Sequence, residues 1–354
     1  MSGMGRFEHG GDIYAHEGVL DFSANVNPLG MPPVAVRALR ESVPEFSAYP
    51  DPACRALTDA LCAAEGVAPG QVVCTAGASD LIVRVCAVVQ PKRALVCAPC
   101  YSGYEQALEQ AGACIVRHML REEDGFALTG SVAADVVPGV DLVFIASPNN
   151  PTGLLVDREV LVAVLEAARA TGARVVLDEC FLDFTYGRSA LDLLPRFPEL
   201  VVMRAFTKTY AMAGLRLGYG ICADERFVGC LRAAGQPWAV STPAQVAGVA
   251  ALQDDGFLER TRRYVADERR FLMCALEDAG MRVVEGTANY LLFSSPVELY
   301  APLLEQGIMI RRCDNYQGLS GRWYRIAVRT HEENERFAQA LSHVVGTTQG
   351  EEHR

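Results

Sequence analysis

The sequence predicts an α/β fold: a large unit on a mostly parallel sheet, followed by a small C-terminal α+β unit. Three observations carry this. Short apolar runs alternate with amphipathic helical patterns through the middle of the 354-residue chain. Polar, glycine- and proline-rich turns close several of those runs. The alternation stops near residue 256, where a long helical stretch leads into shorter strand patterns. Fully apolar strands separated by helices read as a sheet covered on both faces. Three segments follow: 1–48, a leading segment expected to contact the small unit and the site; 49–254, the large unit; and 255–354, the small one.

The first element is a short helix at Pro33–Glu41, with proline at its first position. Helical patterns follow at Cys54–Glu65, Ser79–Val89, Gly103–Ala111, Arg158–Thr171 and Thr242–Gln253. Strand patterns lie between them at Arg93–Ala98, Asp141–Ser147, Arg174–Asp178, Leu200–Ala205 and Leu217–Cys222. After the helical stretch 256–279 come strands at Met281–Glu285, Tyr290–Ser294 and Tyr324–Val328, then a helix from Glu332 to Val345. Arg311 and Arg312 alternate along a further expected strand.

Half the residues are hydrophobic and 21% are charged, an ordinary globular composition. The net charge of −11 opposes a nucleic-acid or anionic-membrane partner, either of which favours a basic face. The first eighteen residues hold no apolar run, so no signal peptide is expected. No stretch approaches the roughly 20 apolar residues that span a bilayer. Twelve cysteines without a secretion signal point to free thiols in a reducing cytoplasm. Cys97 and Cys100 have no second pair or histidine at zinc spacing, so no metal is expected.

In such folds ligands bind beyond the carboxyl ends of the strands. Four motifs stand there. Thr75-Ala76-Gly77-Ala78-Ser79-Asp80 precedes a helix whose first amides can hold a phosphate, although taken alone it is an ordinary cap. Ser147-Pro148-Asn149-Asn150-Pro151-Thr152-Gly153 fixes the backbone so that an Asn side chain is held in one direction. Asp178 closes an apolar strand, where a carboxylate requires a partner charge. Lys208 follows another apolar strand, where desolvation lowers an amine's pKa and makes it a nucleophile, and Arg216 lies within reach of a phosphate.

The order SPNNPTG, VVLDE and TKTYAMAGLRLGY resembles the fold-type I, aspartate-aminotransferase-like family of pyridoxal-phosphate enzymes over nearly the whole chain. That resemblance implies a seven-stranded sheet, with the cofactor held as a Schiff base on Lys208. It implies that Asp178 pairs with the pyridinium nitrogen and that Asn150 hydrogen-bonds the phenolic oxygen. Gly77, Ala78, Ser79, Thr207 and Arg216 are then the phosphate turn and its ligands, and Tyr101 the ring-stacking aromatic. Tyr49 is the tyrosine sent across a homodimer interface to the neighbour's phosphate. Two departures stand out: Phe181 replaces a common tyrosine, and Ala205 replaces a hydroxyl residue that often binds phosphate.

The peripheral motifs HGGD (9–12), DFSANVNPLG (21–30), IMIRRCDNYQGL (308–319) and RWYRIAVRT (322–330) resemble the threonine-phosphate decarboxylases of cobalamin synthesis. Arg325 is then expected on the substrate carboxylate, His9, Arg311 and Arg329 on the substrate phosphate, and Asn27 as an orienting residue. Histidinol-phosphate aminotransfer is the nearest alternative, and a serine-phosphate substrate is a second. A non-catalytic ligand sensor is a third, opposed by the presence of Lys208, Asp178 and Asn150 together.

Overall fold

The computed structural model describes residues 9–352; the first eight residues of the expected leading segment, and residues 353–354, lie outside them. The chain enters through strand β1 (Leu20–Asp21) and helix α1 (Pro33–Glu41). Helix α2 (Arg55–Glu65) ends at Gly66 in the left-handed region, the C-terminal stop that glycine permits. Strands β2 (Val72–Thr75), β3 (Arg93–Ala98), β4 (Cys114–Met119), β5 (Leu142–Ala146), β6 (Arg174–Asp178), β7 (Leu200–Ala205) and β8 (Gly218–Cys222) then form the large sheet.

Its seven strands run in the order β2-β8-β7-β6-β5-β3-β4, all parallel except β8, which is antiparallel to both neighbours. This is the aspartate-aminotransferase-like fold. Helices α3 (Ala78–Val89), α4 (Ser102–Gln110) and α5 (Arg158–Thr171) cross between parallel strands. The strands are apolar throughout because both faces are buried. Leu200 and Val202 of β7 join one core cluster, while Val201 and Met203 join the other. Strands β2 and β4 had no counterpart in the sequence reading. The first is only four residues long, and the second is a half-exposed edge whose apolar run is broken by Arg117 and His118.

A one-turn helix α6 (Phe206–Thr209) follows β7, and α7 (Glu225–Ala233), α8 (Thr242–Ala251) and the 22-residue α9 (Phe257–Asp278) lead out of the large sheet. Strands β9 (Arg282–Val283) and β10 (Tyr290–Ser294), helix α10 (Tyr300–Glu305), strands β11 (Ile308–Met309), β12 (Arg311–Arg312) and β13 (Trp323–Ala327), and helix α11 (His331–Glu352) complete the chain. An antiparallel sheet β12-β13-β10-β9 packs with α10 and α11 over its own core. The leading segment docks there: β1 pairs in parallel with β11, and the Phe22 ring packs tilted against Phe337 at 5.1 Å. This docking delivers residues 23–27 to the ends of the large-sheet strands. Among the described residues no helix is long and apolar enough to cross a membrane.

Candidate active site

A cleft of about 210 Å³ opens at the carboxyl ends of β5, β6 and β7. It is walled on one side by the turn before α3 and on the other by residues 23–25 and the small sheet. Lys208, Asp178 and Asn150 all line it. Asp178 is the last residue of its strand, and Asn150 and Lys208 lie in the turns that follow theirs, where the chain leaves the core.

Asp178 is the last residue of β6. Its Oδ2 accepts from the Tyr104 hydroxyl at 2.5 Å and its Oδ1 from the Cys180 amide at 2.9 Å. Burial raises its pKa and these donors oppose the rise. No cation among the described residues pairs with it. Tyr104, fully buried on α4 and stacked on Phe144, was not identified from sequence; it lies one turn beyond Tyr101, and nothing in its surroundings in the chain separates it from a core tyrosine.

Lys208 sits in α6, half-buried. Burial first, and then the positive charge of Arg325, push its amine down to about 8. Arg325 is itself buried. It donates from Nη1 to Asn150 Oδ1 at 2.5 Å and from Nη2 to the Ser23 carbonyl at 2.7 Å. The Tyr316 hydroxyl lies 3.4 Å from the same Asn150 oxygen. With that oxygen occupied, the Asn150 amide N–H₂ is left to face the cleft.

The turn before α3 supplies an anion cradle. Gly77 has φ +87, and a Cβ there would meet Arg216 Nη2 at 2.7 Å. Ala78 and Ser79 open the helix, so their amides are among the unpaired donors of any helix start. Asp80 fixes the turn by accepting from the Ala76 amide and pairing with buried Arg84. Thr207 and Arg216 complete the ring, with Ala205 lining the cleft in place of a hydroxyl. Tyr101 lines the cleft edge-on to Tyr104, with the His9 imidazole stacked on it at 5.4 Å. Phe181 also lines the cleft, and its ring packs edge-on against Tyr290.

These residues fit pyridoxal phosphate. A buried carboxylate lacking a cation suits a pyridinium nitrogen, an amide donor held by its own oxygen suits a phenolate, and a helix start beside Arg216 suits a phosphate.

Arg311 and Arg325 face each other across β12 and β13, and both are buried and line the cleft. Arg312 points the other way and pairs with Asp314. His9 lines the same end. Its pKa is lowered by burial and by the charges of Arg311, Lys208 and Arg325.

Two expectations are corrected. Asn27 does not enter the cleft: its Nδ2 donates to the Thr209 carbonyl at 2.7 Å and to Thr261 Oγ1 at 2.9 Å, bracing the lysine-bearing turn from beneath. Asn25 lines the cleft instead, buried, with an Oδ1 that has no hydrogen-bond partner among the described residues. Arg329 lies beyond the end of β13 and pairs with Glu333 at 2.9 Å, outside the cleft. Tyr49 is also away from its own chain's cleft, 79% exposed and stacked on Trp238 at 4.5 Å.

The family model described as aminotransferase class I and II matches residues 17–341. The chain is 36% identical over 350 residues to a threonine-phosphate decarboxylase of Salmonella typhimurium, covering 95% of this chain and 96% of that one. It is 33% identical over 346 residues to a histidinol-phosphate aminotransferase of Nitratidesulfovibrio vulgaris, covering 94% and 91%. The solved histidinol-phosphate aminotransferase of Clostridium acetobutylicum superposes with a TM-score of 0.88 at 29% identity, covering 93% of this chain and all of that one.

Proposed function

Because the chain belongs to the class I and II aminotransferase family and is pyridoxal-phosphate-dependent, we propose that it decarboxylates L-threonine O-3-phosphate to (R)-1-aminopropan-2-yl phosphate and CO₂, in cobalamin biosynthesis. The observation that carries this is the facing pair Arg311 and Arg325, both buried and both lining the cleft that holds Lys208. Two buried cations suit a substrate with two anionic ends, a carboxylate and a phosphate. The 36% identical relative with that printed activity supports the same reading.

Pyridoxal phosphate, when bound, supplies an electron sink for the bond broken at the substrate's α-carbon. Asp178 would hold its ring nitrogen, Asn150 its phenolic oxygen, Ala78, Ser79, Thr207 and Arg216 its phosphate, and Tyr101 its ring. Lys208 would anchor it, and Lys208 Nζ would hold the proton delivered to the substrate's α-carbon as CO₂ leaves. Which bond breaks is a matter of orientation. Arg325 grips the carboxylate, while Arg311 and a neutral His9 hold the substrate phosphate. Phe181 brings no hydroxyl to the phenolic oxygen, which leaves that contact to Asn150.

The deciding experiment supplies cofactor-loaded protein with L-threonine O-3-phosphate and no 2-oxo acid. Release of CO₂ with equimolar aminopropanol phosphate is the expected result. Histidinol-phosphate aminotransfer is the second reading, favoured by the 33% identical relative and the 0.88 TM-score. Pyridoxamine phosphate formed from histidinol phosphate, without CO₂ release, would establish it instead. L-serine O-phosphate lacks one methyl, and a methyl separates substrates by only about 1–3 kcal/mol.

The same reading makes the chain a homodimer with Tyr49 reaching the neighbour's cofactor phosphate. Its exposure on Trp238, beside an apolar groove between α1 and α8, supports this. Sedimentation should give a dimer, and Tyr49→Phe should weaken cofactor retention without changing that mass.

A further inference from the structure

We infer that the groove between α9 and the turn at 184–187 is a second ligand site, taking a small organic phosphate with an aromatic body. The groove encloses about 570 Å³ and shares no lining residue with the cleft. Its central group is Arg269, which is 7% exposed. Among the described residues its guanidinium reaches only the Ala288 carbonyl at 3.4 Å and the Met273 thioether at 3.6 Å, and no carboxylate pairs with it. A buried cation without a counter-charge is costly, and burial accordingly lowers its pKa. An anion entering the groove supplies the missing charge.

The surroundings define the class. Arg262 spends its Nε on the Asp183 carbonyl, leaving its terminal nitrogens for the groove, and Arg270 stands at the rim paired with Asp267. With Arg270 already paired, the described lining residues set the Arg262 and Arg269 guanidinium groups against one carboxylate, Glu277. The excess favours an anion. Tyr186 is 69% exposed on the opposite wall, with the Arg262 guanidinium 5.9 Å from its ring centre. An aromatic body stacked there would find a π face, with Met273 beside its phosphate.

Cys274 is exposed and lines the same groove, which provides a local reporter. The experiment measures iodoacetamide alkylation of cofactor-loaded protein by peptide mass spectrometry, with phenyl phosphate as the probe. Exposed Cys114 and Cys230 serve as controls within the molecule. Phenyl phosphate is expected to slow alkylation of Cys274 severalfold and saturably, while the control thiols react unchanged. Arg269→Gln should abolish that protection and Arg269→Lys should retain part of it. Should the glutamine variant fail to fold, half-buried Arg262→Gln is expected to raise the protecting concentration severalfold. No protection in the wild type, or protection undiminished in a folded Arg269→Gln or Arg262→Gln protein, overturns the proposal.

Discussion

Lys208 combines two opposing demands: it must sit in a largely apolar turn, and it must react as a neutral amine. Burial and then the charge of Arg325 bring its pKa to about 8. The shift is downward, so the amine is protonated below about 8 and neutral above it. Capture of pyridoxal phosphate by apo-protein should therefore accelerate as pH rises toward about 8 and level off beyond, where an ordinary lysine near 10.4 would keep accelerating. Arg325→Met removes the second cause, and the midpoint should move upward. Stopped-flow absorbance after mixing apo-protein with cofactor reads both. An unmoved midpoint would separate Arg325 from the lysine's electrostatics and leave burial, with the charge of Arg216, as the cause.

At the scale of elements, the cofactor cradle depends on a close approach between the start of β8 and the turn before α3. A Cβ on Gly218 would lie 2.7 Å from both the Ala78 nitrogen and the Gly77 carbonyl carbon. Those are backbone atoms and cannot swing aside. Gly218→Ala should lower stability by about 1–3 kcal/mol through overpacking. It should also push the Ala78 and Ser79 amides out of line, raising the cofactor Kd about tenfold if roughly 1.4 kcal/mol of phosphate binding is lost. Equilibrium dialysis and denaturant melts measure the two effects separately. Elements of this kind were legible wherever a strand is apolar along its length, as in β3, β6 and β7, or a helix carries an uninterrupted stripe, as in α5. They were illegible in β1 and β11, two residues each, which pair only with each other. Arg329 was expected from the resemblance alone; β13 ends at Ala327, so the alternation that turns Arg325 into the cleft does not extend to it. Asn25 and Asn27 lie on an irregular segment with no period to assign them, so which of the two enters the cleft is decided by the docking of β1 on β11, a tertiary contact. Tyr104 and Tyr316 were missed because a tyrosine beside a site and a tyrosine in a core look alike in one dimension.

The molecule as a whole holds its reactive strand ends together through one buried cation. Arg204, on β7, lies 3.0 Å from Glu179, 3.3 Å from Asp183 and 3.4 Å from Glu65. Glu179 follows Asp178 directly, and Asp183 accepts at 3.3 Å from the Thr209 hydroxyl next to Lys208. Glu65, at the end of α2, also accepts from the Tyr219 hydroxyl of β8 at 2.5 Å. One guanidinium therefore ties α2, β6, β7 and β8 beneath the cleft. Arg204→Met keeps the volume but strands carboxylates in the interior, a change that typically destabilises by about 3–5 kcal/mol. The pH dependence identifies the cause. Burial already raises the Glu179 pKa, and Arg204 is first among the groups that oppose this. A raised carboxyl binds its proton more tightly in the native state than in the unfolded chain. Its penalty is thus full at neutral pH and relieved as pH falls through the native value toward the ordinary one. Without Arg204 the native value climbs further, so the penalty deepens at neutral pH and its relief begins earlier. The stability gap between wild type and Arg204→Met, measured by urea melts, should therefore narrow as pH is lowered from neutrality toward the ordinary carboxyl range. A gap that stays constant across that range would mean that Arg204 acts by packing alone.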